Sequence, residues 1–311
     1  MILTVTMNPS VDIRYNLEHL HLHAVNRVAN VSKTAGGKGL NVSRVLVQLE
    51  EEVAATGFLG GSLGSFIRTQ ITSLTIKDYF IDSREDTRNC IAIIHDGQQT
   101  EVLESGPVIS EEEQSEFLEQ FHSHVKRAEV ITISGSLPKG LDTNFYVKLL
   151  EIAQQHQVIV LLDTSGEALK VSLENEVKPY LIKPNEDELA DLVGKEIKTH
   201  EQVIEALQNP ILDGIPWVVV TLGGQGAMIR HENVLYQVQI PAIEVKNPVG
   251  SGDSVIAGFA AGIRRKLPDE ELIKFGISMG VLNAMQKKTG CIDPEKIEWC
   301  TEQIYLKKLT L

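Results

Sequence analysis

Cysteine is scarce in this chain of 311 residues: Cys90, Cys291 and Cys300 are the whole set, and no two form a C-x-x-C pair. A disulfide framework and a zinc knuckle are thereby excluded, and a reducing cytoplasm is the expected setting. Positive charge is short as well. With 29 Lys+Arg against 42 Asp+Glu the formal net charge is −13, which argues against duplex DNA or an anionic membrane surface as a partner. No window of about 18 residues is free of charge, and Met1–Val11 has neither a basic start nor a sustained apolar run, so neither a membrane span nor secretion is expected. Repeats, low-complexity tracts and an obvious linker are missing too. The composition, 42% hydrophobic and 23% charged, is that of an ordinary globular protein. A Walker A motif appears nowhere, and the first apolar run leads into Asn8-Pro9-Ser10 rather than a glycine fingerprint. These absences disfavour a P-loop NTPase and a Rossmann dehydrogenase.

What is present is an alternation of short apolar runs with longer helical patterns. Residues 2–6, 53–58, 130–133, 158–162, 180–182 and 217–221 read as buried strands, being short, rich in Val, Ile and Leu, and bounded by Gly, Pro or Asp. Between them, Ser110 and Glu113 form a capping box ahead of Phe117, Leu118, Phe121 and Val125, and Asp142 or Thr143 is placed to cap the run to Ala153. From Asn247 onward helices are predicted over 251–264, 269–287 and 294–306. Such alternation gives an α/β fold, a mostly parallel central sheet flanked by helices. Asp96-Gly97, flanked by 90–94 and 101–103, predicts a hairpin, and a second short one is expected around 227–238. With the aperiodic stretch 19–33, the first hairpin outlines a small β-sheet lid formed by about 12–33 and 88–106. The expectation is one domain over 1–311.

Asn247-Pro248-Val249-Gly250-Ser251-Gly252-Asp253 precedes an apolar helix. Glycines there expose backbone N–H groups at the helix's positive end, which attracts a phosphate or a phosphoryl group in transfer. Asp253 in the first turn is placed to take a proton from an attacking hydroxyl. On these residues alone a tight turn with a dipole-complementing carboxylate reads equally well. Gly36-Gly37-Lys38-Gly39-Leu40-Asn41, ahead of a helix over 42–49, is the second signal, or else a glycine-rich loop with a solvated lysine. Further polar segments follow predicted strands: Asn8–Asp12, Ser134–Pro138, Lys183–Glu188 and Thr221–Gly226. Parallel sheets bind ligands at that edge. Asn185 to Glu188 also has capping-box spacing. His19, His21 and His23 alternate as they would on one face of a strand, with no carboxylate or cysteine pattern to make a metal site.

Together the two glycine motifs resemble the signatures of the PfkB branch of the ribokinase-like sugar kinases, the first over 36–46 and the second over 247–258. The match extends over essentially the whole chain. Within the branch, residues 6–12, 133–138, 183–185 and 247–253 are most similar to kinases acting on tagatose 6-phosphate, and those acting on fructose phosphates are similar over the same span. The resemblance implies ATP-dependent, Mg2+-assisted phosphorylation of the 1-hydroxyl of D-tagatose 6-phosphate in lactose and galactose breakdown. Fructose 1-phosphate and fructose 6-phosphate are the alternative acceptors. It implies Asp253 as catalytic base and the amides of Gly250, Ser251 and Gly252 as anion hole. Asp12, Gly37, Lys38, Asn41 and Ser136 would hold the sugar, with Arg88 and Arg27 meeting its phosphate. Lys183, Asn185, Thr221, Gly223 and Gly226 would border the ATP phosphates, Val249 and Asn283 would flank adenine, and Glu188 would act on Mg2+ through water. A homodimer through the β lid and a monovalent cation such as K+ near the anion hole are further implications. Asn247-Pro248 stands where many relatives carry Asp-Thr, so the carboxylate that supports such a cation is missing. A sugar-phosphate sensor without turnover is the rival from another class, and the retained Asp253, Gly250 and Gly252 argue against it.

Overall fold

Apolar runs too short for helices satisfy their backbone groups most simply side by side in a sheet covered on both faces. In the computed structural model, which describes residues 1–309, Ile2–Thr6 lies between Val53–Leu59 and Val130–Ser134, parallel to both. Ile159–Asp163, Leu181–Ile182 and Trp217–Thr221 continue the parallel order outward. Three antiparallel strands, Ala227–His231, Val234–Gln239 and Tyr305–Leu309, finish that side of an 11-stranded sheet. The predicted strands match these within a residue or two.

Because strand side chains alternate, the sheet divides the apolar residues between two cores. Val45, Leu161, Trp217, Phe259 and Ile273 pack on one face beneath helices Lys38–Gln48, Ser251–Arg264 and Asp269–Ala284. On the other face Leu3, Val5, Phe58 and Ile131 meet Glu111–Val125 and Phe145–Gln155. The Ser110–Glu113 capping box is formed in full, both reciprocal bonds being present. A separate four-stranded sheet has the order Val31–Gly36, Ser10–Asn16, Arg88–His95, Gln98–Leu103. Its hairpin turns at Asp96 (φ +49°) and Gly97 (φ +72°), the left-handed pair that a two-residue turn requires.

Four local expectations are corrected. The end of the chain is not helical to residue 306: helix Ile297–Gln303 stops, and Tyr305–Leu309 pairs with the otherwise open edge of Val234–Gln239. Pairing along that edge outweighs local helix preference. Helix Asp269–Ala284 ends short of residue 287, because the Ala284 carbonyl accepts the N–H groups of Lys246 (2.8 Å) and Asn247 (3.2 Å). Neither Asp142 nor Thr143 caps the following helix; Asn144 occupies the cap position with no side-chain bond. His19, His21 and His23 lie beyond the strand, which ends at Asn16, so they share no strand face. His19 instead pairs with Asp96 of the hairpin turn at 2.5 Å. Among the described residues no helix is long and apolar enough to cross a membrane.

Phe117 is 1% exposed and contacts the rings of Phe58, Phe121 and Phe145, with centroids 5.2, 5.8 and 5.9 Å away. Phe117→Ala is expected to cost about 3–5 kcal/mol, the usual loss for an aromatic cavity. Urea unfolding should show a lower midpoint with the slope unchanged.

Candidate active site

Both glycine motifs turn the chain abruptly into a helix. Gly37 has φ +104°, a conformation open to glycine at little cost, and helix Lys38–Gln48 begins at the next residue. The helix therefore starts four residues before the expected position 42, and Lys38 and Asn41 sit in its first turn. Gly250 has φ +82°, and a Cβ there would lie 2.4 Å from the Thr289 methyl, so a tight turn delivers Ser251–Arg264. The first amide to bond within that helix is Ser254 N–H, to the Gly250 carbonyl at 2.9 Å. Of the amides expected at the anion hole, that of Ser251 turns back to the Pro248 carbonyl (3.2 Å). Gly252 lies against Lys183, where a Cβ would come 2.9 Å from Nζ. A lysine ammonium at the positive end of a helix makes a strong position for an anion.

The two helix starts meet. Asn41 Nδ2 donates to Asp253 Oδ2 at 2.7 Å, and Asn41 Oδ1 accepts from Arg44 one turn further on. Arg44 also donates to the Ala35 carbonyl. Asp253 is buried, and burial, reinforced by the charge of Asp163, pushes its carboxyl up to about 6 against the Asn41 hydrogen bond and the charges of Lys38 and Lys183. Asp163, 2% exposed at the end of its strand, faces Lys183 at 3.4 Å and Lys38 at 3.6 Å, and neither of its oxygens has a hydrogen-bond partner. Burial works against the Lys38 ammonium, but Asp163, Glu188 and Asp253 outweigh it and hold its pKa above the ordinary lysine range. Burial also raises the Asp12 carboxyl, moderated by the hydrogen bond from Ser10 (2.7 Å) and by Arg44 and Arg88.

These groups line a cavity of about 830 Å³ between the C-terminal edge of the main sheet and the small sheet. Asp12, Gly37, Lys38, Asn41, Arg88, Lys183, Asn185, Glu188, Thr221, Val249, Gly250, Gly252 and Asp253 all reach it. Asn185 and Glu188 do so while forming a capping box: Glu188 N–H donates to Asn185 Oδ1 (2.7 Å), and Asn185 N–H donates to Glu188 Oε2 (2.9 Å). The second Glu188 oxygen stands 3.7 Å from Lys38. Arg27, Ser136, Ser251, Gly223, Gly226 and Asn283 lie off the cavity wall. Arg27 and Ser136 are exposed on loops, and Gly226 turns a tight corner at φ +93°. Asn283 is fully buried behind the wall, donating to the Val249 carbonyl (3.0 Å) and accepting from Gly290 N–H (2.9 Å).

Asp163 and Arg44 were not singled out by sequence reasoning. Asp163 carries a usable signal, a lone carboxylate at the C-terminal end of the apolar run 159–162, where parallel sheets bind ligands. Arg44 carries none, since an arginine on a helix is usually a surface residue. Lys287 and Lys288 also line the cavity, so a chain of net charge −13 gathers Arg14, Lys38, Arg44, Arg88, Lys183 and these two around one site, against the carboxylates of Asp12, Glu101, Asp163, Glu188 and Asp253. That concentration of cations focuses anions into the cleft.

A buried carboxylate beside a glycine-capped helix end and paired ammonium groups suits group transfer to or from an anionic substrate. Comparison with known proteins agrees. The model of the pfkB family of carbohydrate kinases matches residues 5–296. A curated tagatose-6-phosphate kinase from Staphylococcus epidermidis is 47% identical over 305 residues, covering 98% of each chain. Among solved structures, phosphofructokinase-2 from Escherichia coli in complex with potassium superposes with a TM-score of 0.89 at 26% identity, covering 97% of this chain and 98% of that one. The same enzyme in complex with fructose 6-phosphate gives a TM-score of 0.86 at the same identity and coverage. The chain belongs to the pfkB family and has its ribokinase-like fold. It is an ATP-dependent carbohydrate kinase.

Gly250→Ala would force a side chain into the left-handed region and against Thr289. A loss of about 1–3 kcal/mol is expected from the backbone strain, read as a lower urea midpoint.

Proposed function

We propose that the chain transfers the γ-phosphoryl group of ATP to the 1-hydroxyl of D-tagatose 6-phosphate, giving the 1,6-bisphosphate in lactose and galactose catabolism. The observation that carries the chemistry is the placement of Asp253, buried in the first turn of a helix and held by Asn41 with Lys183 beside Gly252. The choice of sugar rests on the 47% identical relative over 98% of the chain. Fructose 1-phosphate and fructose 6-phosphate are the second reading, favoured by the phosphofructokinase neighbours.

In this reading Asp253 accepts the proton of the attacking hydroxyl, and Asn41 fixes the carboxylate's orientation. The helix-end amides near Gly250 and Gly252, together with Lys183, receive the charge of the phosphoryl group in transfer. Lys38, near Asp163 and Glu188 at 3.6 and 3.7 Å, helps to hold the sugar. Asp12 and Gly37 border the sugar, and Lys183, Asn185, Thr221 and Val249 border the nucleotide. Glu188 keeps one oxygen free of its capping box and so suits water-mediated contact with Mg2+. When bound with ATP, that ion neutralises phosphate charge. For K+ we assign no ligand to Asn247, whose carboxamide is engaged with Val249 N–H (3.1 Å) and Thr289 Oγ1 (3.3 Å).

The small sheet over the cavity would act as the lid of a one-domain kinase, excluding water that would otherwise hydrolyse ATP. Its outer strand, Gln98–Leu103, is exposed along its whole length, with Val102 54% and Leu103 60% accessible. An unpaired strand edge carrying two exposed apolar side chains suits a homodimer formed through the lid. Sedimentation at micromolar concentration should then give twice the monomer mass, and a monomer alone would remove that part of the proposal. The cytoplasm supplies the ATP and keeps the three free cysteines reduced.

ADP release with MgATP should show a higher kcat/KM for tagatose 6-phosphate than for fructose 6-phosphate or fructose 1-phosphate. A preference for fructose 1-phosphate would reverse the sugar's orientation, and no turnover with any of them would revive the sensor. Asp253→Asn should lower kcat by roughly 10²- to 10⁴-fold with little change in ATP binding. Because Asp253 must be ionised and its carboxyl is raised to about 6, kcat/KM should fall as pH drops below about 6 and level off above it. Asn41→Ala removes a hydrogen bond that favours the ionised form, so this acid limb should move to higher pH.

A further inference from the structure

We propose that Arg44 is a positioning residue for the transfer, setting the orientation of the Asn41 amide and, through it, of the Asp253 carboxylate. The inference rests on the kinase reading above and adds to it a residue that acts through another.

Asn41 and Arg44 stand three positions apart in helix Lys38–Gln48, so their side chains are neighbours on its surface. Asn41 is buried between two groups of opposite hydrogen-bonding character, the Asp253 carboxylate and the Arg44 guanidinium. An ionised carboxylate only accepts, and a guanidinium only donates. An amide between them satisfies both in a single orientation, with Nδ2 toward Asp253 and Oδ1 toward Arg44, and that is the arrangement present. Turned by half a rotation, the same amide would set oxygen against the carboxylate and N–H against the guanidinium, losing both bonds. Arg44 therefore removes the choice. The Asn41 bond takes Asp253 Oδ2, which leaves Oδ1 as the oxygen to accept a proton.

The guanidinium is itself held from outside the helix. Its Nη1 donates to the carbonyl of Ala35, the residue ahead of the Gly36-Gly37 turn in the small sheet, and its Nη2 stands 3.5 Å from the Thr289 carbonyl. Thr289 is the residue whose methyl group lies against Gly250. One planar fork thus spans both glycine turns, which an ammonium on a flexible stem cannot do. Both terminal nitrogens are engaged with protein oxygens, so the side chain acts on Asn41 and not on an entering anion. The other charged groups that face Asp253 are Lys38, Asp163 and Lys183, and Asp12 and Cys291 also face Arg44.

The test is a double-mutant cycle on kcat for wild type, Arg44→Met, Asn41→Ala and the double variant, read as ADP release with saturating MgATP and the sugar phosphate that wild type turns over fastest. Each single change should lower kcat about 10- to 100-fold, the usual loss of a charge-assisted hydrogen bond. The double variant should lose no more than Asn41→Ala alone, because no amide is left to orient. Arg44→Met should also move the acid limb of kcat/KM to higher pH, since the amide that favours the ionised carboxylate is no longer fixed. Arg44→Lys, which keeps the charge without the fork, should fall between wild type and Arg44→Met, and it takes the place of Arg44→Met in the cycle if that variant does not fold. Losses that multiply in the double variant overturn the proposal, as does an acid limb that Arg44→Met leaves in place. Wild type that turns over none of the sugar phosphates overturns the reading on which the proposal rests, a result distinct from either.

Discussion

The hydrogen bond from Asn41 to Asp253 joins residues 212 positions apart, and the site is organised around that junction. It fixes the start of helix Lys38–Gln48 against the start of helix Ser251–Arg264, so one glycine motif orients the carboxylate delivered by the other. Arg44 holds the far side of the Asn41 amide, which leaves the donor end facing Asp253. Remove either turn and the carboxylate loses its partner while remaining buried, an arrangement that costs far more than an exposed pair would.

Charge around this junction is balanced closely. Asp163 pairs with Lys38 and Lys183 and Glu188 with Lys38, at separations of 3.4 to 3.7 Å for the three ion pairs, and Asp253 lies within the field of both lysines. Those distances are longer than direct charge-assisted hydrogen bonds, so the lysines are held near the carboxylates without being locked to them. Such loosely held ammonium groups are available to an anion, and Lys183 is already buried among them.

Much of this was legible in the sequence, and what was not has particular physical causes. Buried parallel strands advertise themselves through short runs such as Ile2–Thr6, and the Asp96-Gly97 turn through its left-handed pair. The two glycine motifs point to the site because only glycine turns the chain as Gly37 and Gly250 do. Asp163 and Arg44 escaped because their roles exist only across strands and helices. Residues 305 and 306 were read as helix because the strand state of 305–309 comes from the edge it covers, a partner about seventy residues earlier in the chain. Asn283 was expected at the nucleotide, yet a buried amide is equally able to serve as a brace for the loop bearing Val249 and Gly290.

That edge has a consequence for how the chain comes into being. Tyr305–Leu309 is the latest strand in sequence among those described, and it covers the outermost strand of the large sheet. Every other strand of the large sheet precedes it in the chain, so until it docks the outer edge of Val234–Gln239 stands with unpaired amides and carbonyls. A chain without that strand exposes the edge of Val234–Gln239, whereas in the folded molecule the outer edge is Tyr305–Leu309, which carries Lys307 and Lys308. Docking of Tyr305–Leu309 covers that edge and ends its interval of greatest exposure to misassembly.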